Sequence, residues 1–209
     1  MPVLNNCSHH MGDLVTFQSG SYRKVYIGAM KLLFIAPLVA FAITGVAIAS
    51  QEATYPKAVT EKTLYAKTDL RGKKAPELKV EQWLKGGAPE TKGKILFVDY
   101  WATWCGPCRA LIPEVNEWHK KYSKDVVFIG LSDEPEATVK AFMTKTPMDY
   151  HIAVDTKKTM SNVLGVQGIP HVMIVSPDGI VRWQGFPGSA EDPLTEKVLQ
   201  QIIKASKLK

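Results

Sequence analysis

Cys105 and Cys108 enclose Gly106 and Pro107 at the point where one kind of hydrophobic pattern gives way to another. Before them, Ile95–Trp101 (ILFVDYW) is a short apolar run rich in β-branched and aromatic residues, bounded like a buried strand. After them, Leu111, Ile112, Val115 and Trp118 recur at helical spacing across residues 109–122. A strand must therefore turn directly into a helix, with Pro107 in the first turn, where its missing N–H needs no helical partner. Cys105 stands at the helix start, and Cys108 lies three residues on along the same face, within bonding reach.

That position gives the two thiols unequal chemistry. Free N–H groups and partial positive charge at a helix N-terminus stabilise a thiolate, so Cys105 is expected to titrate below the usual value of about 8.5. Cys105 can attack a partner's disulfide, and Cys108 can resolve the mixed disulfide. A structural disulfide closing so small a loop would stabilise little. Half a zinc site would need a second CxxC or an HxxxH, and the sequence has neither. Cys7 with His9 and His10 does not complete a four-ligand shell. The expectation is redox catalysis with no metal and no cofactor beyond the Cys105/Cys108 pair.

A second feature concerns address. Residues 32–49 (LLFIAPLVAFAITGVAIA) are an uncharged run of 18, preceded by Arg23, Lys24 and Lys31. A 12-residue apolar stretch followed by Ala47-Ile48-Ala49 fits an export signal cleaved before Ser50. An uncleaved anchor is the alternative, because 18 helical residues at about 1.5 Å each nearly cross a bilayer core of about 30 Å. Ser50 offers no thiol for lipidation. Residues 1–29 read as an extension ahead of a natural start at Met30, 30–49 as signal or anchor, 50–70 as a polar tether, and 71–209 as the functional domain. Cleavage would leave Cys105 and Cys108 as the sole cysteines, suited to an oxidising compartment. The net charge of +6 comes from scattered lysines, with one tight cluster at Lys204, Lys207 and Lys209, so a solvated surface is expected and no nucleic-acid partner.

With WCGPC after an apolar strand, and Pro113 five residues past Cys108, the chain resembles the thioredoxin superfamily. The likeness extends to Val166-Gln-Gly-Ile169-Pro170, which is similar to that family's cis-proline segment and precedes a strand-like 171–175. It implies that Pro170 packs opposite the cysteines, that Ile169 offers backbone pairing to an extended substrate, and that Trp104, Gly106 and Pro107 border the substrate. Between the strand at 126–132 and Pro170 the chain inserts a helix-like 134–145 and a strand-like 150–154, as the exported TlpA-like and ResA-like branch does. The fold class so implied is α/β: a mixed sheet between helices, with this helix-strand insertion before the cis-proline strand. A hairpin at Ser176-Pro-Asp-Gly179 and an amphipathic helix carrying Leu194, Val198, Leu199, Ile202 and Ile203 complete it.

Asp99 matches the buried aspartate of cytoplasmic thioredoxins. A carboxyl in an apolar strand has a raised pKa, which would suit Asp99 to take the Cys108 proton; a purely structural Asp99, bonded to backbone or water, is the alternative. The lysine that accompanies this aspartate in thioredoxin is Gly130 here. His171 could tune the thiolate or be packed in the sheet. Gly185 could admit a substrate backbone or mark a bulge. The resemblance implies an exported monomer that reduces disulfide-containing proteins, apocytochrome c cysteines or other oxidised envelope proteins among them, with a membrane thiol donor to renew the dithiol. A disulfide oxidase or isomerase is the alternative, and so is a redox-gated binding module or metallochaperone. Cys105 lacks the neighbouring Pro and Thr pattern of a peroxidase.

Overall fold

The computed structural model describes residues 54–208. Cys7, His9, His10 and the apolar run 32–49 lie outside them. Among the described residues no helix is long and apolar enough to cross a membrane.

Among the described residues six strands form one mixed sheet in the order β1-β4-β3-β2-β5-β6. Its centre is β2 (Ile95–Trp101), parallel to β3 (Val126–Ser132), which is parallel to β4 (His151–Val154). On the other side β5 (His171–Val175) and β6 (Val181–Gly185) run antiparallel, and β1 (Gln82–Lys85) closes the far edge against β4. The central strands read as nearly unbroken apolar runs because helices or chain segments cover both faces.

Strand parity sorts the side chains. Ile95, Phe97 and Trp101 point to the face covered by α1 (Gly106–Tyr122) and α4 (Glu196–Lys207). Val98 and Tyr100 point to the opposite face, with Met160 and Leu164 of α3 (Thr159–Leu164). Asp99 shares the parity of Phe97 and Trp101, so it lies on the α1 face. The stripe expected along the first helix is the one buried: Leu111, Ile112, Val115 and Trp118, together with Cys108. In the last helix Leu199, Ile202 and Ile203 are buried, while Leu194 precedes the helix, which Thr195 caps by accepting from the Val198 N–H.

The insertion contains α2 (Glu136–Met143) and β4. Its helix starts two residues later than expected, after Pro135, which leaves Glu134 in the β3–α2 connection. The Ile169–Pro170 peptide is cis. At Ser176-Pro-Asp-Gly179 the chain reverses with Gly179 at φ +80°, and the Gly179 N–H donates to Ser176 O at 2.8 Å.

Residues 54–70, within the segment expected as a polar tether, are docked on the domain. Ala66 bridges to Val166, and the Leu70 N–H donates to Gln184 Oε1 at 2.9 Å. The Lys62 side chain is fully buried, ion-paired to Asp192, with its ammonium 4.1 Å above the Trp183 ring. A buried ammonium needs both a partner and an apolar stem contact, and the domain supplies them.

Candidate active site

The end of β2 leads into a tight turn in which the Cys105 N–H donates to Ala102 O at 3.1 Å. Cys105 is the N-cap of α1, and the Cys108 N–H donates to its Sγ at 3.2 Å. This bond and the helix dipole favour negative charge on Cys105, and the first turn of α1 holds no acidic side chain to offset them. Cys105 and Cys108 are joined as a disulfide, with Cα atoms 5.3 Å apart. Cys105 keeps 4% of its surface exposed and Cys108 none.

Across from the disulfide stands the cis-proline loop, with the Ile169 carbonyl oxygen 3.7 Å from Cys105 Sγ. Beside both runs a groove of about 280 Å³, lined by Pro107, Ala110, Leu111, Pro170, Phe186 and Leu194 among others. Trp104 is 71% exposed, whereas Trp101 is buried, and the two line a second, smaller pocket with Ile169. Cys105, Cys108, Trp104, Pro107, Ile169 and Pro170 thus meet at one end of the sheet, although 60 residues of sequence separate the two loops; Gly106 opens α1 between the cysteines, in free space.

Asp99 is 1% exposed, and burial pushes its carboxyl up to about 7. Its Oδ1 has no hydrogen-bond partner among the described residues. Gly130 is its register partner on β3, and a side chain there would crowd its neighbours: a Cβ would lie 2.9 Å from Ile152 Cδ1, 3.0 Å from Trp101 Nε1 and 3.1 Å from Tyr150 Cε2. Ile152, Trp101 and Tyr150 crowd the position, and Gly130 brings no cation to the side of Asp99.

His171 lies on the opposite face of β5, against Tyr100, fully buried. Its Nε2 is 3.2 Å from Gln184 Nε2, whose amide also donates to Thr68 O, so the His171 nitrogen serves as acceptor. Burial, with the Lys62 charge adding to it, holds the imidazole down at about 4. The ring is packed in the sheet, on the face away from α1. Gly185, at φ +144°, gives close approach to Lys62 of this chain: a Cβ there would meet Lys62 Nζ at 3.1 Å. Among the described residues no cluster of three or more His, Cys, Asp or Glu side chains could hold a metal ion.

Two residues of the site carry no local sequence signal. The Glu134 carboxylate accepts from the Thr103 N–H at 2.6 Å and from Thr103 Oγ1 at 2.7 Å, across 31 residues. The pairing of β2 with β3, in which Trp101 and Ser132 are register partners, brings them together.

A model of the AhpC/TSA family matches residues 71–184, which contain both cysteines, the insertion and the cis-proline. The thiol-disulfide oxidoreductase ResA of Bacillus thuringiensis strain Al Hakam is 35% identical over 116 residues, covering 54% of this chain and 61% of that protein. ResA of Bacillus thuringiensis subsp. konkukian is 34% identical over 137 residues, covering 65% and 72%. The chain belongs to the AhpC/TSA family, as a ResA-like member of the thioredoxin superfamily. The match to the first of these relatives spans less than two thirds of its length. A crystal structure from Chlorobium tepidum, assigned as a thiol:disulfide interchange protein DsbE, matches this ResA-like chain with TM-score 0.55 at 28% identity, over 65% of this chain and 97% of that one. A thiol-disulfide isomerase from Corynebacterium glutamicum, at 19% identity and TM-score 0.53, covers 61% and 92% and supports the fold.

Proposed function

We propose that this chain is an exported thiol-disulfide oxidoreductase that reduces disulfides of proteins outside the cytosol. One observation carries the reading: a disulfide at a helix N-cap faces a cis-proline loop, with the Ile169 carbonyl oxygen 3.7 Å from Cys105 Sγ, beside a groove lined by Pro107, Leu111, Pro170 and Phe186. In the reduced protein the Cys105 thiolate attacks one sulfur of a substrate disulfide, forming a mixed disulfide and expelling the other substrate sulfur as thiolate. Cys108 loses its proton and attacks Cys105 Sγ, which re-forms the Cys105–Cys108 bond and releases the second substrate thiolate. The substrate gains two electrons and the protein loses two. Ile169 and Pro170 are assigned to hold the substrate backbone, Trp104, Gly106 and Pro107 to flank it, and Asp99 to take the Cys108 proton.

The direction of exchange rests on Gly106-Pro107, the pair found in reducing thioredoxins. Equilibrating the purified protein with glutathione or dithiothreitol buffers is expected to give a reduction potential near that of thioredoxin, about −270 mV. A value near the oxidising extreme, about −120 mV, would make the protein a disulfide donor instead. Each turnover consumes one dithiol, so a reductant outside the cytosol needs a membrane thiol donor.

Residues 32–49 are assigned to export. N-terminal sequencing of the protein recovered outside the cytosol is expected to start near Ser50. A start at residue 1 or 30 would replace cleavage with membrane anchoring.

A further inference from the structure

Thr103 and Trp104 are the central residues of the turn that delivers Cys105, closed by the Cys105 N–H to Ala102 O bond. Free N–H groups at such a turn are ordinarily satisfied by water or local side chains. Here one distant carboxylate takes both donors of Thr103, its N–H at 2.6 Å and its hydroxyl at 2.7 Å. The carboxylate is itself held: Ser132 Oγ donates to it at 3.3 Å and accepts from the Glu134 N–H at 3.2 Å, and Ser132 is buried at the end of β3. Glu134 is thereby anchored on the strand next to β2 and grips the turn from the side. Hydrogen bonds to an ionised acceptor are short and strong, and a paired acceptor fixes orientation as well as distance.

Resting on the redox reading above, we propose that Glu134 is a positioning residue for Cys105: by clamping the 102–105 turn through Thr103 it sets the stability of the Cys105–Cys108 disulfide. In the oxidised protein the bond between the cysteines already restrains the turn. When the bond is reduced, Cys105 keeps its N–H bond to Ala102 O and the Cys108 N–H on its sulfur, and the clamp carries a larger share of the restraint on residues 102–104. Removing the clamp therefore releases more conformational freedom in the dithiol than in the disulfide, and the equilibrium moves toward the dithiol. The clamp comes from the inserted segment, so the insertion acts on the redox centre without touching its sulfur atoms.

The test is the equilibrium of the full protein with glutathione, in which oxidised glutathione plus dithiol gives two reduced glutathiones plus disulfide. Glu134→Ala is expected to shift this constant about tenfold toward the protein dithiol, a potential about 30 mV less negative. Thr103→Val, which keeps the N–H donor and loses the hydroxyl, is expected to shift it in the same direction by about threefold. Thr103→Ser keeps both donors and is expected to match the wild type. A constant within a factor of two of wild type in both Glu134→Ala and Thr103→Val, each folded by circular dichroism, overturns the proposal. So does a shift toward the disulfide, or a Thr103→Ser shift as large as that of Thr103→Val. If Glu134→Ala does not fold, the Thr103 pair decides alone. Wild-type protein that fails to exchange with glutathione at all would refute the redox reading itself, which separates the two failures.

Discussion

Cys105→Ser is expected to lower dithiothreitol-driven insulin reduction to the rate of dithiothreitol alone, and Cys108→Ser is expected to stop after one attack with the substrate held on Cys105. The asymmetry follows from position. Cys105 caps α1, accepts the Cys108 N–H, faces Ile169 O and retains a sliver of exposed surface, whereas Cys108 is sealed beneath it. A nucleophile needs a position that favours thiolate and access, and of these two cysteines Cys105 holds the helix N-cap and the exposed surface. Cys108 needs neither access to substrate nor a low pKa, because its target is the sulfur of Cys105 three residues away. Without Cys108 the mixed disulfide loses its internal exit and, with no dithiothreitol present, should persist for minutes to hours, as uncatalysed disulfide exchange does. Mass spectrometry after mixing with an oxidised peptide reads the adduct directly. An adduct on Cys108 in Cys105→Ser, with none on Cys105 in Cys108→Ser, would reverse the two roles.

The sequence carries this site to very different degrees. Strand β2 and the face of α1 are legible because the hydrophobic period changes from continuous to 3.6 at the cysteines themselves. The strands at 126–132 and 171–175 are equally plain, being apolar and covered on both faces. Strand β1 escapes pattern reading: Gln82–Lys85 is a four-residue edge strand with its outer residues exposed, and its pairing with β4 is decided by tertiary contact. The tether at 50–70 looks solvated because Lys62 reads as a surface charge, yet Asp192 and the Trp183 ring, both over 100 residues away, bury it. Glu134 and Thr103 are hidden for the same reason. Their polar side chains belong to no motif, and the bond between them exists only once β2 and β3 lie side by side. Gly130 is the reverse case: the sequence shows that a lysine is missing, and the fold shows that three side chains crowd the position.

Asp99→Asn is expected to slow the second thiol step by about 100-fold, within the range general bases supply, while making the oxidised protein more stable at pH 8. Both effects come from one carboxyl with burial as the sole cause of its shift to about 7. The kinetic sign is direct. Asp99 accepts a proton only when ionised, so resolution of the mixed disulfide in the wild type should rise with pH through about 7, and the rise should vanish in the variant. The stability sign runs the other way. A carboxyl whose folded pKa lies above its unfolded value of 3.8 binds a proton in the native state that the unfolded chain has lost. Its stabilisation is therefore complete below about pH 4 and is lost as pH rises toward 7, a change on the order of 4 kcal/mol for a shift of about three pH units. The amide removes the charge and brings N–H donors that cost about 1–3 kcal/mol if unpaired, which leaves a net gain of about 1–3 kcal/mol at pH 8 and a net loss at pH 4, where the wild-type carboxyl is already neutral. Urea unfolding at the two pH values and stopped-flow resolution of a preformed mixed disulfide measure the two halves independently. Greater stability at pH 8 with an unchanged resolution rate would make Asp99 a buried carboxyl that takes no part in the reaction, and Cys108 would then pass its proton to water. Slower resolution with the pH inflection gone ties the cost in stability to the chemistry it serves.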